Sequence, residues 1–91
     1  RAASLFQRAC DSGFAIGCLD LGRMHTEGMG VPQDDATAAA FYQRACDGGA
    51  ADGCYRLAVM HSYGIGIPRD TTRAASLLQQ ACDGGVAAAC R

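Results

Sequence analysis

Ninety-one residues with a net charge of −1 make one domain or part of one, and so short a chain leans on covalent links or stacked neighbours for its core. All eight positive side chains are arginine, set against eight aspartates and one glutamate, and no basic run occurs, so the footprint of a nucleic-acid binder is missing. The chain has no Lys, which excludes a P-loop, Schiff-base chemistry and the Ser-x-x-Lys nucleophile; no Asn, which excludes N-glycosylation; and no apolar run of the ~18 residues a membrane span needs.

Residue 1 is Arg, so the chain reads as a processed product or a portion of a longer one, with any export signal outside it. The first expected element is a lone helix within residues 1–13, written RAASLFQRAC and closed by Asp11-Ser12-Gly13. A second kind of helix follows, from about Phe14 to Thr26. Gly28 stops it, and Val31-Pro32 blocks continuation because the residue before proline avoids the α region. Asp34 or Asp35 then caps a helix written TAAAFYQRAC. In it Ala38, Phe41 and Ala45 step i, i+3, i+7, with Ala39, Tyr42 and Cys46 one place on, which makes a broad apolar stripe. Asp47-Gly48-Gly49 turns the chain, since glycine tolerates the left-handed conformation that ends helices. The second kind of helix returns from Ala50 to Ser62, stopped by Gly64 and Ile67-Pro68. Asp70 caps RAASLLQQAC, and a further turn leads about one helical turn into the next element before Arg91.

These elements repeat. Segments starting at Arg1, Thr37 and Arg73 align without gaps, as do those at Gly17 and Gly53, always at a period of 36. The organisation is one helical-repeat domain: a lone helix 1–13, repeats 14–49 and 50–85, and a partial repeat 86–91. One hairpin cannot cover its own apolar face, whereas stacked copies bury a continuous core. Neither end carries a polar cap, so the chain reads as an excerpt of a longer array.

The residues that carry the pattern are Gly17-Cys18-x-x-Leu21-Gly22, Gly28-Met29-Gly30-Val31, an Asp, and Ala39-x-x-Tyr42-x-x-Ala45-Cys46. Over nearly the whole chain this resembles the Sel-like repeat, a relative of the tetratricopeptide repeat. The Ala-Cys-Asp-Gly-Gly linkage most resembles its cysteine-rich, Hcp-type bacterial branch. The resemblance implies an all-α fold, a right-handed α/α superhelical solenoid of 36-residue helix-turn-helix repeats with disulfides inside the hairpins. It implies protein interaction as the usual role, and for some cysteine-rich members penicillin binding or weak β-lactamase-like activity. Two departures stand out: His25 and His61 occupy an aromatic position, and Ala58 replaces the glycine matched by Gly22.

Cys10/Cys18, Cys46/Cys54 and Cys82/Cys90 flank seven residues each. Three readings compete: structural disulfides within each hairpin, buried free thiols in a reducing compartment, and metal or redox sites. The repeat favours the local pairs, because each copy then solves the same local problem, with Cα atoms roughly 5.5–6 Å apart. Zinc normally wants four ligands with a shorter cysteine spacing, and no Cys-x-x-Cys occurs. Disulfides imply an oxidising space: periplasm, cell surface or exterior.

Catalysis finds no local nucleophile motif, and no cofactor or metal is expected. His25 and His61 are read as packing residues; metal or haem binding is the competing reading. The functional signal lies in how the two copies of the second helix differ. Shared positions, Leu21/Leu57 and Met24/Met60 among them, are assigned to the stack. Ile16/Asp52, Asp20/Arg56, Arg23/Val59 and Glu27/Tyr63 differ sharply, and they step i, i+4, i+7, i+11 along one helical stripe. The corresponding helices of tetratricopeptide-like superhelices line the concave side. The expected binding residues are therefore Asp20, Arg23, Glu27, Arg56, Val59 and Tyr63, presented to a protein or peptide partner; drift of a solvated face is the competing reading. A weak β-lactam-binding hydrolase is the functional alternative.

Overall fold

A computed structural model describes residues 2–90, with the Ala2 side chain left aside. Five α-helices follow one another: α1 Ala2–Asp11, α2 Ala15–Glu27, α3 Asp35–Asp47, α4 Ala51–Tyr63 and α5 Thr71–Asp83. A 3-10 turn, Ala87–Cys90, ends the described chain, and no strand occurs among the described residues. Each helix packs chiefly on those next to it in sequence, as stacking of hairpins requires.

Capping sets the starts of α3 and α5. Asp34 and Asp70, both in extended backbone, accept hydrogen bonds from the backbone N–H of Thr37 and Arg73 at 3.2 and 3.0 Å. Asp35, the other candidate, is instead the first residue of α3. The Thr37 hydroxyl also donates to Asp34 at 2.9 Å. That hydroxyl, and then the Thr37 amide, hold the Asp34 carboxyl below its ordinary 3.8. The helices α2 and α4 begin without a side-chain cap, at Phe14 and Ala50. There the tight turn supplies order: Phe14 and Ala50 donate their N–H to the carbonyls of Ala9 and Ala45, both at 2.9 Å.

All three local disulfides are present: Cys10–Cys18, Cys46–Cys54 and Cys82–Cys90. Their Cα separations are 4.6, 4.6 and 4.8 Å, closer than the expected 5.5–6 Å. In the first two hairpins the residue before the second cysteine permits this approach, whereas in the third that residue is Ala89. A Cβ added at Gly17 would lie 2.7 Å from the Ala9 Cβ, and one at Gly53 2.8 Å from that of Ala45. Glycine there lets the facing helix ends nearly touch.

The core is built from small residues. Ala38, Ala45, Ala58 and Ala81 are fully buried, around Leu21, Leu57, Leu77 and Tyr42. Between repeats, the Arg44 guanidinium reaches back to Asp11 at 3.2 Å, and Arg73 donates to Gln43.

Candidate functional site

The stripe that varies between copies faces away from this core. Ile16, Arg23, Glu27, Asp52, Arg56 and Tyr63 are exposed, and Asp20 and Val59 half-buried. The shared positions Cys18, Leu21, Cys54, Leu57 and Met60 are buried, with Met24 half-buried. Helical periodicity therefore separates buried positions from those facing solvent.

Five of the stripe residues line two hollows, while Ile16 and Asp52 line a third beside Val86. Asp20, Arg23 and Glu27 line one of about 200 Å³, together with Phe6, Met24 and Met29. Arg56 and Val59 line another of about 360 Å³ with Tyr42, Tyr55, Met60 and Ile65; Thr26 and Asp35 complete its wall. The two correspond through the 36-residue period: Phe6 to Tyr42, Met24 to Met60, Met29 to Ile65. The larger hollow has a wall that the smaller lacks, since Thr26 comes from α2 of the preceding hairpin. Tyr63 lines neither hollow and stands 75% exposed beside them in the stripe.

Sequence reasoning missed the loop residues Met29 and Ile65, and Tyr55. Each loop residue sits between two glycines of positive φ: Gly28 at 68° and Gly30 at 76°, Gly64 at 66° and Gly66 at 72°. That double left-handed bend, open to glycine and hostile to β-branched residues, holds an apolar side chain outward. Ile65 is 38% exposed and Met29 57%. An apolar residue between paired glycines in both copies was the available signal.

Electrostatics differ between the hollows. Arg23 and Asp20 approach to 3.9 Å, one helical turn apart, whereas Glu27 and Arg56 have no ion pair among the described residues. Asp35 accepts a hydrogen bond from Gln33 Nε2 at 2.8 Å.

His25 packs against an aromatic ring. The His25 ring stacks on Phe41 with centroids 5.6 Å apart, and its Nδ1 donates to the Pro32 carbonyl at 3.2 Å. His61 Nδ1 is buried with no hydrogen-bond partner. Among the described residues no group of three or more His, Cys, Asp or Glu converges on a metal position.

Paired helices, tight disulfide-bridged turns and a 36-residue register define a helical-hairpin repeat protein. The chain belongs to the Sel1 repeat family, whose profile matches residues 1–14, 15–49 and 51–86. Among solved structures it is similar to cysteine-rich protein B of Helicobacter pylori, at 30% identity and a TM-score of 0.94, over 97% of this chain and 66% of that one. It is also similar to a protective antigen of uropathogenic Escherichia coli with an SLR fold, at 31% identity and a TM-score of 0.92, over 96% and 19%. A Sel1 repeat protein from Oxalobacter formigenes shares the fold, at 22% identity and a TM-score of 0.93, over 96% and 36%. The chain thus spans just under two thirds of the first of these structures and far less of the others. No curated protein matches it by sequence.

Proposed function

We propose that this chain is a protein-interaction module. Its binding surface is the stripe of α2 and α4 with the two hollows beside it, and its partner is a peptide or an extended protein segment. Sel1 repeat proteins generally act as interaction scaffolds. The observation that carries the reading here is the pairing of one repeated apolar hollow with different rim side chains in each copy. A scaffold that keeps its packing positions and varies its presented ones is suited to recognition. Arg and Tyr, present as Arg56, Tyr55 and Tyr63, are favoured anchors in interfaces.

Three disulfides point to an extracytoplasmic, oxidising compartment, and no helix among the described residues is long and apolar enough to cross a membrane. The setting we favour is the periplasm, the cell surface or the medium, where a helical module this small gains most from covalent staples.

The test is an unbiased peptide selection on the wild-type chain, followed by affinities for Val59→Asp, Arg56→Ala and Tyr63→Ala. Binding that falls about tenfold or more with Val59→Asp and with Arg56→Ala supports the reading; selected peptides indifferent to every one of these changes would refute it. A chromogenic β-lactam turned over by the wild type, and spared after one Ser or His substitution, would establish a hydrolase instead.

A further inference from the structure

We infer that the partner segment is bipolar in charge: an acidic side chain beside Arg56, a basic one beside Glu27, and an apolar side chain in each hollow. This deepens the reading of the stripe as the binding surface and rests on it. The fold supplies the same apolar wall twice, through Phe6, Met24 and Met29 in one hollow and Tyr42, Met60 and Ile65 in the other. These shared apolar walls therefore do little by themselves to fix which end of a partner lies where. The rim charges do.

In the first hollow Asp20 and Arg23, 3.9 Å apart, offset each other and leave Glu27 as the uncompensated charge. In the second, Arg56 is exposed and without an ion pair among the described residues. Asp35 shares that hollow, but its carboxylate is bonded to Gln33. It also sits in the first turn of α3, where the positive end of the helix dipole offsets its charge. Arg56 is thus the group with donors to spare, and a guanidinium suits a carboxylate in paired hydrogen bonds. Adjacent hollows reading opposite signs favour one orientation of a bipolar segment and penalise like-charged ones, which is where charge contributes most to an interface.

The test uses labelled peptides with two leucines across a graded Gly-Ser spacer. They are flanked by Glu and Lys in either order, by Glu at both ends, or by Lys at both ends. Fluorescence anisotropy on the wild type should show one bipolar order bound about tenfold tighter than either like-charged peptide, with the difference shrinking at high salt. Arg56→Glu should move the preference to the doubly basic peptide, and Glu27→Arg to the doubly acidic one. The double exchange should reverse the two bipolar orders. Both positions are exposed, so unchanged melting curves will verify that the variants fold. Equal affinities within about twofold, preferences that ignore the substitutions, or no binding of any of these peptides would overturn the inference. That failure is separable from failure of the stripe itself, because peptides from the unbiased selection would still lose binding on Val59→Asp if the hollow is the site.

Discussion

Gly22 and Tyr42 form a matched pair, and the positions equivalent to them one repeat on hold Ala58 and Leu78. A Cβ at Gly22 would lie 2.5 Å from the Tyr42 ring, so the tyrosine demands glycine opposite it. Tyr42 is 2% exposed and its hydroxyl lies 3.2 Å from that of Thr26, which itself donates to the Gly22 carbonyl at 2.9 Å. Where leucine replaces the tyrosine, alanine is tolerated, fully buried at Ala58. The departure from the family glycine is thus a local exchange of volume between facing positions. Gly22→Ala should destabilise by about 1–3 kcal/mol through overpacking, more than the ~1 kcal/mol of helix propensity it gains. Adding Tyr42→Leu should recover most of that loss, and a double-mutant cycle by urea denaturation reads the coupling; independent effects would contradict the pairing. Asp34 makes a second residue-scale prediction. Folding lowers its carboxyl below 3.8, so the ionised cap adds stability above that value and loses it as the pH falls through the lowered one. Asp34→Asn keeps a side-chain acceptor without the charge, and the acid side of its melting-temperature profile should be flatter than the wild type's.

At the scale of the element, the hairpin is held by a turn of fixed hydrogen bonding and by one disulfide. The backbone pattern of the Cys10 turn recurs at Cys46 and Cys82: the glycine before the next helix donates to the first cysteine's carbonyl at 3.0 Å in all three copies. On the chain-entropy model, closing a loop of nine residues contributes about 2.6 kcal/mol. Replacing Cys46 and Cys54 together by Ala should lower the unfolding free energy by about that amount in chemical denaturation, with the helical circular dichroism retained at low denaturant. A change below about 0.5 kcal/mol would show that packing alone holds the hairpin. Much at this scale was legible in the sequence. Periodicity gave the helices to within a residue or two, the glycines and prolines gave their ends, and the repeated cysteines gave the pairing. The closeness of the first two hairpins was not, because the role of Gly17 and Gly53 depends on what stands opposite each. Nor were the hollows, which need Met29 and Ile65 brought over the stripe by loops whose path only the left-handed glycines define.

Across the whole molecule, contact runs from each helix to the next, over a shape of 37 × 23 × 17 Å. In such a stack every repeat depends on its neighbours, and the faces used for packing cannot be used for recognition. Among the surfaces left, the faces of the two kinds of helix differ. The outer face of α1, α3 and α5 carries the same Gln–Asp hydrogen bond in each copy, Gln7 to Asp11, Gln43 to Asp47 and Gln79 to Asp83, all at 2.9 Å. A surface that repeats itself in this way carries little information. The stripe of α2 and α4 changes from copy to copy and borders apolar hollows, which is what selective binding of an extended segment asks for. The most direct measurement is nuclear magnetic resonance mapping of the isotopically labelled chain titrated with a selected peptide. The account predicts shifts concentrated at Glu27, Met29, Tyr55, Arg56, Val59 and Ile65, with the Gln7, Gln43 and Gln79 side-chain amides unmoved. Shifts confined to those glutamines and the helices that bear them would contradict it.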